Sequence, residues 1–102
     1  MFTKNANVFG NMNYGLFRIG KVCVLWVGYL GLAAQLNAYS ERSFGTVQAG
    51  FRPSSNAYSA GSSDFAPCAL KLDTGGNLIV RALDKAIVKG ASVWGVLVYL
   101  AA

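Results

Sequence analysis

The 102-residue sequence contains no histidine, four acidic residues and two cysteines. Without histidine there is no imidazole to ligate a metal and none to serve as base for a serine or cysteine nucleophile. Cys23 and Cys68 are too few and too far apart for a zinc site. Each sits in an apolar run, VCVLW and APCAL, where a free thiol serves as a small hydrophobe. Spacing alone leaves open whether they pair. Glycoside hydrolysis needs two carboxyl groups facing each other across a sugar. Asp73 and Asp84 occupy turn positions that favour Asp for local reasons, which leaves Glu41 and Asp64. Gly75-Gly76 lacks the lysine and following helix of a phosphate-cradling loop. The chain therefore reads as non-enzymatic, with no cofactor and no metal.

Charge is also scarce. Charged residues make up 13% of the chain and hydrophobic ones 54%, against a usual charged share of about 25%. A single domain of this length has too little interior for so much apolar surface. Either copies share a core, or part of the chain enters a membrane. The net charge of +5 is scattered from Lys4 to Lys89 without a run or stripe. Nucleic-acid binding concentrates positive charge against phosphates, so no nucleic-acid partner is expected.

Val22 to Ser40 carries no charged residue and raises a membrane-spanning helix or a late signal segment. Against both, its strongest part is the short run Val22 to Leu32, its last third is polar, and it is rich in β-branched and aromatic residues with Gly28 and Gly31. Those features suit a strand.

Along the chain, residues 1–13 are Asn-rich and read as an N-terminal arm. Residues 14–102 read as the folded domain. Tyr14 to Gly20 alternates as a strand. Val22 to Leu32 is a strand apolar on both faces, hence covered on both, with a neighbouring copy as the second cover. Residues 33–63 are rich in Ala, Ser, Asn, Gly and Tyr, and Pro53 to Ser63 reads as loop. Cys68 to Asp73 and Leu78 to Leu83 alternate around Thr74-Gly75-Gly76-Asn77, a β-hairpin signature. Ile87-Val88 is a short strand, and Ala91 to Leu100 closes the chain as a strand apolar on both faces. Six or seven short strands indicate an all-β fold, a small antiparallel β-sandwich or jelly-roll-like barrel.

Three segments carry a family resemblance. Gly50-Phe51-Arg52-Pro53-Ser54, the hairpin from Leu70 to Val80, and the closing Val93-Trp94-Gly95-Val96-Leu97-Val98-Tyr99 occur in the order and spacing of the C-terminal head domains of bacteriophage tail-fibre and receptor-binding proteins. The chain resembles them over roughly residues 14–102. The resemblance implies a homotrimer of β-sandwich protomers on the surface of a phage particle, made in the bacterial host cytoplasm. It implies other virion proteins as neighbours and a host-surface saccharide as ligand. Such proteins usually carry attachment and shaft regions, which this chain almost lacks; as a complete gene product it would be a capsid or tail component that borrowed the same fold, with residues 1–13 as its attachment element.

A saccharide site needs aromatic faces for C–H surfaces and planar polar groups for hydroxyls. Tyr39, Arg42, Asn56, Tyr58 and Asp64 are the candidates, all in the stretch expected to be loop. Trp26, Tyr29, Trp94 and Tyr99 lie in apolar strands and are the candidate oligomer contacts. A virion structural subunit without a small ligand (capsid decoration, head fibre or baseplate component) is the competing reading, and a small membrane protein is a third.

Overall fold

The computed structural model describes residues 1–64 and 66–102. Among them lie eight strands and no helix: β1 (Phe2–Lys4), β2 (Asn13–Ile19), β3 (Val22–Gly31), β4 (Glu41–Val47), β5 (Ala57–Ser63), β6 (Pro67–Leu72), β7 (Asn77–Ala82) and β8 (Ser92–Leu100). All pair antiparallel in one sheet of order β1-β4-β7-β6-β5-β8-β3-β2. The sheet curls until its two edges meet. There the Phe2 and Tyr14 rings lie 5.6 Å apart, and the Tyr14 hydroxyl accepts from the Phe2 amide at 3.2 Å. The result is a nearly closed barrel, which blunts the edges that open sheets leave exposed.

Alternation decides what lines the interior. Cys23, Leu25 and Val27 of β3, Leu70 and Leu72 of β6, Leu78 and Val80 of β7, and Val93 and Leu97 of β8 all point inward and are buried. Phe44 of β4 fills the centre with them. The β6–β7 hairpin forms as its sequence predicts, with Leu72 opposite Leu78. The Gly76 amide donates to the Asp73 carbonyl at 2.9 Å, and Gly76 takes φ 85°, open to glycine without a Cβ penalty. The Asp73 carboxylate accepts from the Asn77 amide at 2.9 Å. Partial burial alone would raise its pKa, but hydrogen bonds from Asn77 and Gly75 and the charge of Lys71 bring it below the usual value.

Several expectations need correction. The first thirteen residues are not a free arm. Phe2 and Val8 enter the core, and β1 pairs with β4. Gly45 makes this docking fit: a Cβ there would meet the Thr3 carbonyl oxygen at 2.3 Å. The stretch read as loop holds β4 and β5; small and polar residues pair well in a ladder when hydrophobic neighbours supply the core. Ile87 forms an isolated bridge with Leu36 in place of a short strand. Val22 to Leu32 is a strand for most of its length, and no helix among the described residues is long and apolar enough to cross a membrane. Both cysteines are free and buried.

Candidate functional site

The outer surface of the barrel is unusual on one side. Ladder registers align Ile19–Val22–Leu100, Phe17–Val24–Val98 and Gly15–Trp26–Val96 across β2, β3 and β8, and antiparallel partners share a face. These side chains, with Trp94 farther along β8, point away from the core. Phe17 is 61% exposed, Ile19 84%, Val98 64%, Leu100 58%, Trp26 42% and Trp94 39%. The aromatic rings lie flat. A Cβ on Gly28 would meet the Trp26 ring at 2.9 Å, and one on Gly15 would meet the Phe17 ring at 2.8 Å. The two glycines thus let the rings settle onto the sheet and keep the face level. Scaling full side-chain areas of about 150–250 Å² by these exposures puts the apolar face at roughly 500–900 Å², a range that includes the per-partner size of a standard protein interface. Monomers rarely expose a contiguous patch larger than about 300–600 Å².

The four aromatic interface candidates divide accordingly. Trp26 and Trp94 lie on this face. Tyr29 is 43% exposed beyond a register shift in β3, at the margin. Tyr99 does not belong to it: it points inward, 7% exposed, and its hydroxyl donates to the Phe51 carbonyl at 2.7 Å. Burial, then the neighbouring Cys23, raises the Tyr99 pKa above the ordinary tyrosine range. Strand parity explains the correction, since Tyr99 falls on the same side as Val93 and Leu97.

The five saccharide candidates do not converge. Through the registers, Arg42 aligns with Val80, Leu70 and Ser59, while Asn56 and Tyr58 lie at the start of β5. Asp64 follows the far end of β5, and eight residues of extended chain span about 26 Å. Four of the five are tied into the scaffold, Asn56 through a bond its side-chain oxygen accepts from the Thr74 amide. The Arg42 guanidinium donates to the Ala34 and Gln35 carbonyls at 3.2 Å each. The Asp64 carboxylate accepts from the Ser92 amide at 3.1 Å. Tyr39 has φ 61° and donates its amide to Leu83 at 2.9 Å. Tyr58 is exposed beside Lys71, whose ammonium stands 6.0 Å from the ring centre.

Near Asn56 the sheet opens. β5 and β8 pair along Gly61–Ser63 and Val93–Gly95, then separate. They rejoin where the Ser54 amide donates to the Leu100 carbonyl at 3.0 Å and Pro53 bridges Ala101. Between these points is a cavity of about 220 Å³ lined by Ser54, Ser55, Asn56, Ala57, Val98, Tyr99 and Leu100. Of the five saccharide candidates Asn56 lines it; Ser54, Ser55 and Val98 were not among them, because a parting of strands leaves no mark in residue type.

The architecture is that of a small, nearly closed antiparallel β-barrel. In particular, the chain is similar in structure to the head domain of lactococcal phage bIL170, a receptor-binding domain. The TM-score is 0.80 at 12% sequence identity, covering 100% of this chain and 98% of that one. No protein-family profile matches the sequence, and no curated protein is significantly similar to it in sequence.

Proposed function

We propose that the chain is a receptor-binding head module of a phage particle, that it works as a homotrimer, and that it holds a saccharide of the host surface. The observation that carries this reading is the fold shared over the full length with a lactococcal-phage head domain. The level apolar face of β2, β3 and β8 supports the assembly. Its occupant is a second copy of the chain, because roughly 800 Å² is what each partner of a stable complex contributes. Other virion proteins hold the module on the particle, and binding, not turnover, is its task.

The test is adsorption of purified protein to cell-wall polysaccharide from lactococcal and other bacterial strains, measured on an immobilised-polysaccharide surface. Saturable binding to polysaccharide from some strains and not others is the expected result. No binding across the whole panel would refute the receptor reading and leave a structural subunit of the virion in its place.

A further inference from the structure

We infer that the opening between β5 and β8 is a binding site for one neutral sugar ring; the inference rests on the receptor-binding reading and gives it a place and a chemistry. The backbone makes the first part of the case. The Ala101 amide donates to Lys21, on the β3 side, whereas the Leu100 carbonyl accepts from Ser54, on the β5 side. Backbone groups alternate direction along a strand. The even-numbered residues of β8 therefore turn their amides and carbonyls toward β5. Within the opening, β5 no longer pairs with β8, so Val98 presents both an N–H and a C=O without a strand partner. Backbone groups in this state are met by water or by a ligand.

The lining supplies the rest. Ser54 and Ser55 add hydroxyls that donate and accept. The Asn56 side-chain oxygen accepts from the Thr74 amide at 3.3 Å, which orients its NH₂ group as a further donor. Val98 and Leu100 give apolar surface for the C–H side of a ring. A donor–acceptor pair, two hydroxyls and an amide match a polyhydroxylated ligand, in which each hydroxyl both gives and takes a hydrogen bond. No charged side chain lines the cavity, which disfavours a phosphate or carboxylate. At about 220 Å³ the cavity is smaller than the ~300–1,000 Å³ of sites for drug-sized ligands, so it takes a single ring and leaves the rest of a polysaccharide outside. Val98 and Leu100 belong both to the cavity and to the apolar face. A second copy on that face would border the bound ring.

The experiment is an amide NMR titration of the full chain with methyl glucoside, methyl galactoside, N-acetylglucosamine and rhamnose, with glycerol 1-phosphate as the charged comparison. At least one neutral sugar is expected to shift the Val98, Ser55 and Asn56 amides and to saturate in the millimolar range. Ser55→Phe, at an exposed position, fills the opening and is expected to weaken that sugar and the host polysaccharide at least tenfold while leaving the melting curve unchanged. Shifts that cluster elsewhere, or a Ser55→Phe variant that binds polysaccharide as the wild type does, would overturn this site and leave the receptor reading standing. Saturation by glycerol 1-phosphate but by no neutral sugar would overturn the ligand class. A wild-type protein that binds neither sugar nor polysaccharide would remove both readings together.

Discussion

Phe17→Asp is the sharpest probe of self-association through the apolar face. Phe17 lies in the row Phe17–Val24–Val98 and is 61% exposed in the single chain. Its uncovered part is roughly 120 Å², which at about 25 cal/mol per Å² contributes about 3 kcal/mol when a second copy covers it. Aspartate removes that contribution and sets a carboxylate against an apolar partner surface, where it has no counter-ion. Loss of about 3 kcal/mol alone raises the dissociation constant by about two orders of magnitude. The cost within one chain is small, since most of the ring is exposed and its covered part lies over Gly15; surface changes of this kind stay within about 0.5 kcal/mol. Sedimentation velocity over a concentration series separates the two effects. The wild type should sediment near three times the 10.8 kDa chain mass, and the variant as a folded single chain. If Phe17→Asp sediments as the wild-type oligomer does, or the wild type stays monomeric at the highest concentration, the argument from this face is wrong.

Two further outcomes follow from the barrel itself. Gly45→Ala places a Cβ against backbone of β1, with the Thr3 oxygen at 2.3 Å and the Lys4 Cα at 2.9 Å; β1 must shift, and a loss of about 1–3 kcal/mol is expected in urea unfolding, with faster hydrogen exchange at residues 2–4 and 45–47. Unchanged stability would show that β1 is not held as described. Burial raises the Cys68 thiol to about 11, so it should resist a thiol reagent at pH 8 until the protein unfolds. By linkage the raised pKa favours the protonated native state, so its stabilising effect is complete below the ordinary value of 9.0 and is lost as pH rises toward 11. Rapid labelling of native Cys68 at pH 8 would contradict its burial.

How much of this was readable in advance depends on the range of the interaction that decides it. The β6–β7 hairpin was legible because Asp73, Gly76 and the alternating Leu70, Leu72 and Leu78 act within a few residues of one another. The two-sided apolar strands were legible as well, although the outer cover is not present within one chain: Val22, Trp26 and Val98 face outward. β4 and β5 were missed because Ser, Gly and Ala carry weak local preferences, and their pairing is set by partners up to dozens of residues away. Tyr99 was a candidate oligomer contact although the parity of β8 points it inward.

The sequence by itself determined the β class, the scarcity of groups for catalysis, and the excess of apolar residues over charged ones, because composition and period-2 alternation are local properties. Tertiary structure decided that β1 closes the barrel, that Phe17, Trp26 and Val98 form one level face, and that Arg42 and Asp64 serve the scaffold. It also parted β5 from β8 beside Val98. Each of these depends on which strands become neighbours, and that choice is made by burial of the whole core at once and not by any one segment.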